Sequence, residues 1–169
     1  MKFLVMLLLT LTGFLSPPAL ADKAIDFQFT DVGGKSLKLS DYHGKWVLVN
    51  FWAPWCPLCW IEVPLLNALN DRADVAVIGI SLDYGPDDNV VSESARLHDL
   101  NFAAIVAGGS RRDPKSLFHQ VGPVDFYPTS YLYDPGGEIV MFIPGLVKRD
   151  KLLAFMDNWR RAGGGKQER

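Results

Sequence analysis

The chain holds two cysteines, Cys56 and Cys59, and only two residues separate them in Trp55-Cys56-Pro57-Leu58-Cys59. Two thiols at this spacing can close on each other. The thiolate of one can attack a foreign disulfide while the other resolves the mixed disulfide that forms. As a staple the bond is poor, because so short a loop removes little entropy from the unfolded chain. Other uses of the spacing need other neighbours. Covalent haem attachment needs His after the second Cys, where Trp60 stands. A zinc site needs a second ligand pair, but no third Cys exists and His43, His98 and His119 are scattered. A thiol peroxidase would set Thr or Ser before its Cys, and Ala53-Pro54-Trp55 supplies neither. Two thiolates suit Cu(I), so a copper metallochaperone stays open, as does an inert interaction module. Phe51, Trp52, Trp55 and Trp60 fit a redox site that docks proteins better than a metal carrier.

The elements around the pair sharpen its roles. Trp46-Val47-Leu48-Val49-Asn50-Phe51-Trp52 is nearly all apolar, as a strand covered on both faces should be. Beyond Cys56, the residues Cys59, Val63, Leu66, Leu69 and Asn70 recur at helical spacing, with Pro64 expected to kink the helix or shift its first turn. A dithiol that follows a buried strand and opens a helix sets its first sulfur at the helix N-terminus. There the free N–H groups and the dipole favour negative charge. Cys56 is therefore expected to be the exposed, attacking thiol and Cys59, one turn further in, the buried resolving one.

Elsewhere, Phe27–Thr30 and Ser36–Leu39 alternate around Gly33-Gly34 as an N-terminal hairpin. Ser40–Lys45 reads as a short turn, and Val75–Ile80 is a second buried strand. Asp87-Asp88-Asn89 opens a helix to about Leu100, and Phe102–Val106 is a third strand. Asp113-Pro114 reads as cap and first position of a helix through Leu117, Phe118 and Val121 that stops at Gly122-Pro123. Thr129–Tyr133 and Glu138–Ile143 flank Asp134-Pro135-Gly136-Gly137 as a second hairpin, and Arg149–Arg161 closes the domain as an amphipathic helix. This order predicts an α/β sheet with helices on both faces, its first strands parallel through right-handed crossovers.

The run Val49-Asn50-Phe51-Trp52-Ala53-Pro54-Trp55-Cys56-Pro57-Leu58-Cys59-Trp60-Ile61-Glu62-Val63-Pro64 resembles the active-site segment of TlpA-like thioredoxins, which include the ResA-type and cytochrome c maturation (DsbE-type) proteins. The N-F-W-x-x-W-C-x-x-C-x-x-E-x-P pattern is met at every fixed position. The resemblance implies a thioredoxin-like fold with an N-terminal β-hairpin and a central α-β insertion over about 87–106. It makes Glu62 a buried carboxylate that tunes the dithiol and moves protons; read from the residues alone, Glu62 is also compatible with a solvated carboxylate favoured by the helix dipole. Asn50 takes the strand position where ordinary thioredoxins carry a buried Asp. Tyr127-Pro128-Thr129 resembles the loop whose cis-proline faces the dithiol and pairs with an extended substrate segment. Phe126-Tyr127 is bulkier than the small residue usual there, which narrows the groove. Trp55, Pro57, Leu58, Tyr127 and Pro128 make up the substrate-facing set. The resemblance further implies a protein-disulfide reductase without bound cofactor or metal, fed electrons by a membrane thiol carrier and acting on apocytochrome c or copper-site assembly proteins. Pro57-Leu58 carries no charge or imidazole to stabilise the Cys56 thiolate, which predicts a reducing potential.

The remaining signals are coarser. Lys2, an apolar run over 3–15 and Ala19-Leu20-Ala21 read as an export signal over residues 1–21, and hence a periplasmic protein in a Gram-negative host. A retained anchor is the alternative. The run is shorter than the roughly 20 residues a spanning helix needs, and Pro17-Pro18 interrupts it. Residues 22–162 then form one thioredoxin-like domain and 163–169 a flexible tail. A formal charge of −2 argues against nucleic acid as a partner, and a monomer is expected. Arg111-Arg112 reads as a solvated loop pair. Asp83, Tyr84, Asp87 and Asp88 read as a solvated helix start, with an acidic rim for basic partners as the alternative.

Overall fold

A computed structural model describes residues 25–164. The export signal and residues 165–169 of the tail lie outside them. Among the described residues no helix is long and apolar enough to cross a membrane.

The sheet is organised by two seven-residue strands, β3 (Trp46–Trp52) and β4 (Val75–Ser81), every residue of which is buried. Such strands belong at the centre, and β3 does lie there. With β5 (Ala104–Ala107), β6 (Thr129–Tyr133) and β7 (Ile139–Pro144) the order is β5-β4-β3-β6-β7. β3, β4 and β5 run parallel, while β6 and β7 are antiparallel to their neighbours. The short hairpin β1 (Gln28–Thr30) and β2 (Ser36–Lys38) forms a separate sheet.

Among the described residues three α-helices accompany the strands: α1 (Pro57–Asn70), α2 (Asn89–Leu97) and α3 (Arg149–Arg161). The expectation of α-helices on both faces is corrected. Two right-handed crossovers that step the same way, from β3 to β4 to β5, set α1 and α2 on one face. α3 returns to that face. Leu66 and Leu69 of α1 and Leu152 and Met156 of α3 pack on Trp46, Leu48, Val75 and Val77. Val91 of α2 joins the buried group around Trp52, Cys56 and Cys59. The other face, Val47, Val49, Phe51, Ile78 and Ile80, is covered by Phe27, Phe29 and Leu37 of the hairpin segment, with Leu39 and Phe118 from two 3-10 turns, Leu39–Tyr42 and Leu117–Gln120.

That second turn is all that forms of the helix expected after Asp113-Pro114. The Asp113 carboxylate accepts from the Lys115 N–H, and Ser116 Oγ bonds the Ser110 backbone in both directions. Local side-chain bonds therefore satisfy groups a helix would use, and Gly122-Pro123 stops the segment too early for tertiary contacts to override them. α2 ends at Leu97, short of Leu100, because Asp99 takes a left-handed φ of 52° and the Leu100 N–H closes back on the Ala95 carbonyl. The geometry is a Schellman cap with Asp where Gly is usual, so no glycine marked it. α1 carries Pro64 in its interior without ending there. On β4, Gly79 is required by close approach: a Cβ would sit 2.7 Å from the Phe102 ring.

Candidate active site

The carboxyl ends of β3, β4 and β5 open onto one edge of the molecule, where ligands of parallel sheets collect. β3 delivers the turn Ala53-Pro54-Trp55 and then α1. Cys56 is the N-cap of α1, with extended backbone, and its Sγ accepts the Cys59 N–H at 3.2 Å. Pro57 follows at the first helical position, where a missing N–H costs nothing. Cys56 and Cys59 are joined as a disulfide with Cα atoms 5.4 Å apart.

The expected contrast between the sulfurs is smaller than the spacing suggests. Cys56 is 5 % exposed and Cys59 2 %, because Trp52, Ala53 and Val91 pack about both. Cys56 lines a groove of about 360 Å³ together with Trp55, Leu58, Arg111, Asp125, Phe126 and Tyr127. Its apolar members are exposed: Trp55 is 58 % exposed, and Leu58 and Phe126 are exposed too.

Glu62 lies on the inner side of α1 and is 4 % exposed, which excludes the solvated reading. Its Oε1 accepts from Asn50 Nδ2 at 2.8 Å and its Oε2 from the Val147 N–H at 3.0 Å. Asn50 Nδ2 also donates to Ser130 Oγ at 3.0 Å. Burial pushes the Glu62 carboxyl above its ordinary range, and the two hydrogen bonds pull part of the way back.

Opposite the dithiol, the Tyr127–Pro128 peptide bond is cis, as the sequence led us to expect. Pro128 is buried, and its carbonyl accepts the Gly145 N–H at 2.9 Å. That carbonyl already has one partner inside the fold.

Arg111 and Asp83 depart furthest from the sequence reading. Arg111 is not a solvated loop residue. Its Nε meets Asp83 Oδ2 at 2.6 Å, its Nη1 donates to the Asp125 carbonyl, and its guanidinium lies 4.4 Å from the Tyr127 ring centroid. Asp83 also accepts from Ser110 Oγ, the Arg111 N–H and the Tyr127 hydroxyl, while its carbonyl accepts from Trp55 Nε1. Burial pushes the Asp83 carboxyl up, but these donors outweigh it and hold the group below its ordinary range. Burial, and then the Asp83 carboxylate, drive the Tyr127 hydroxyl far above its own range. An acidic rim for basic partners is excluded for Asp83, whose charge is spent internally. Its position just past a buried parallel strand was the signal available in the sequence. His98 caps the end of α2 and stacks on Trp60, ring centroids 3.8 Å apart. Among the described residues no group of three or more His, Cys, Asp or Glu is arranged to hold a metal ion.

The sequence profile of the AhpC/TSA family matches residues 20–141, well over half of the chain. The chain belongs to the AhpC/TSA family. Within it, the thiol-disulfide oxidoreductase ResA of Geobacillus kaustophilus is 31 % identical over 143 residues, covering 83 % of this chain and 78 % of that one. A ResA of Bacillus cereus is 32 % identical over 135 residues, 79 % of this chain and 75 % of that one. Among solved structures, the pneumococcal exposed lipoprotein thioredoxin of Streptococcus pneumoniae superposes with a TM-score of 0.60 at 26 % identity, covering 79 % of this chain and 98 % of that one. A secreted Mycobacterium tuberculosis disulfide oxidoreductase homologous to DsbE shares the fold, with a TM-score of 0.62 at 23 % identity over 82 % of this chain and 99 % of that one. This AhpC/TSA member is a ResA/DsbE-like thiol-disulfide oxidoreductase with a thioredoxin-like fold.

Proposed function

We propose that this oxidoreductase works outside the cytoplasm as a reductase of protein disulfides, with Cys56 attacking, Cys59 resolving and Glu62 handling protons. The observation that carries the reading is a sulfur at a helix N-cap that lines a groove beside exposed Trp55, Leu58 and Phe126. Exposed apolar side chains of this kind suit a polypeptide rather than a small polar thiol.

In the reduced protein the Cys56 thiolate, favoured by the first-turn N–H groups, attacks one sulfur of a substrate disulfide. The substrate S–S bond breaks and an S–S bond to Cys56 forms. The departing substrate sulfur takes a proton. Cys59 then passes its proton to the Glu62 carboxylate and attacks Cys56 Sγ, releasing the second substrate sulfur, which is protonated in turn. The substrate has gained two electrons and two protons, and the enzyme holds the Cys56–Cys59 disulfide. A thiol carrier must reduce that bond for the next turnover. Tyr127 and Pro128 supply the backbone groups that pair with the bound segment.

Support for the compartment comes from the export-type N-terminus and from relatives described as exposed or secreted. Apocytochrome c and copper-site assembly proteins are the substrates proposed, and a membrane thiol carrier the donor. The test is trapping: Cys59→Ser should leave substrates covalently bound to Cys56, released by dithiothreitol, whereas Cys56→Ser should trap none. An absence of trapped protein, or a reduction potential near the roughly −120 mV of DsbA, would sink the reductase reading. A stoichiometric Cu(I) complex lost in Cys56→Ser would favour a metallochaperone instead.

A further inference from the structure

Asp83 does not line the groove beside Cys56, yet it holds two of that groove's three aromatic residues. Its carbonyl accepts Trp55 Nε1 at 3.0 Å, and its carboxylate accepts the Tyr127 hydroxyl at 2.9 Å. The two rings meet edge to face, 5.4 Å between centroids. Arg111 completes the device. It pairs with the Asp83 carboxylate, lies over the Tyr127 ring and bonds the Asp125 carbonyl, next to Phe126 of the groove. Four chain segments thus converge on one ion pair: the turn before α1, the end of β4, the loop after β5 and the cis-proline loop. The pair is partly buried, with 20 % of the Asp83 side chain and 28 % of Arg111 accessible, so water screens it less than an ordinary surface pair. Asp83 adopts a left-handed φ of 54°, which aims its carbonyl and carboxylate at different walls. Neither residue bonds a sulfur, Glu62 or Asn50.

We infer that the Asp83–Arg111 pair is a positioning device for substrate capture, fixing Trp55 and Tyr127 in one docking geometry for an extended polypeptide without taking part in the sulfur chemistry. This rests on the protein-disulfide reading above. The pair acts on how a polypeptide seats across the groove, so its loss should weaken reaction with a protein disulfide and spare a disulfide too small to touch both walls.

Asp83→Asn is the variant of choice, because Asn tolerates the left-handed backbone as Asp does. Its amide puts an NH₂ group where Arg111 Nε and the Tyr127 hydroxyl now find an acceptor, and the guanidinium is left without its partner. We expect KM for insulin reduction to rise about tenfold, with kcat, the rate of reaction with oxidised glutathione and the reduction potential all within about twofold of wild type. Arg111→Lys keeps the charge but not the fork and should raise KM by about threefold; it carries the test alone if Asp83→Asn does not fold. An unchanged KM in folded variants, equal losses toward insulin and glutathione, or a shifted potential would each overturn the positioning role. A wild-type protein inert toward both disulfides would overturn the reductase reading itself, and this inference with it; an active wild type with unsplit variants overturns the clamp alone.

Discussion

Glu62 shows how far position can change a side chain. In solution its carboxyl would titrate near 4.5, and burial raises it in the folded protein. Between 4.5 and the raised value the folded state binds more protons than the unfolded one, so Glu62 makes stability fall as pH climbs through that window. Replacing it with Gln removes the titration. The stability of wild type minus that of Glu62→Gln should therefore decline with rising pH across the window, as read by urea unfolding of the oxidised proteins at a series of pH values. A difference that rises or stays flat would contradict the assignment. In catalysis the same variant should slow release of Cys56 from the mixed disulfide by about 10²-fold at neutral pH, measured by rapid quench, if Glu62 takes the Cys59 proton. At this scale the dithiol, Glu62 and the cis-proline were legible, because each lies in one short run of sequence. Asp83 and Arg111 were not, because what defines them is a partner 28 residues away.

At the scale of elements, the strands β3 and β4 and the helix α3 follow from their patterns within a residue or two, since buried runs and amphipathic spacing are local properties. The failures share one cause. After Asp113-Pro114 and at Asp99, polar side chains and a left-handed Asp gave the backbone alternatives to an α-helix that residue type alone does not announce. Gly79 illustrates the reverse, a residue whose need is set by a neighbouring element. Gly79→Ala would press a methyl group against Phe102, at 2.7 Å, and Trp52 Nε1, at 3.1 Å. We expect it to destabilise the protein by about 1–3 kcal/mol in chemical denaturation, the usual cost of overpacking a core. A change under about 0.5 kcal/mol would mean that the Phe102 segment moves freely, as surface substitutions do.

For the molecule as a whole, opposed titrations shape the response to pH. Asp74 is held below its ordinary 3.8 by hydrogen bonds and charge from Arg72 and Arg160, and Asp83 below the same value by hydrogen bonds from Arg111, Tyr127 and Ser110 that outweigh burial. Their contribution is present above 3.8 and is lost as pH falls through the lowered folded values. Glu62 contributes in the other direction at higher pH. The oxidised protein should therefore be most stable in weakly acidic solution and lose stability below about pH 4, with a shallower acid limb in Asp83→Asn; thermal unfolding across pH 2–7 reads both. An acid limb as steep in the variant as in wild type would show that the Asp83 contacts add nothing to the folded state.

The sequence by itself determined the chemistry and the kit of parts. Cys56-Pro57-Leu58-Cys59 on a strand-to-helix turn, Glu62 one turn on, and a proline before a late strand are local facts, fixed by residue type and spacing. Tertiary structure alone decided how the parts face one another. It put the three α-helices on one side of the sheet, α1 and α2 through crossovers that step the same way and α3 by packing beside α1. It closed the Glu62 carboxylate against Val147, 85 residues on, and drew Asp83, Arg111, Tyr127 and Trp55 into one cluster. Such pairings depend on strand order and loop path, which a periodicity or a motif does not carry.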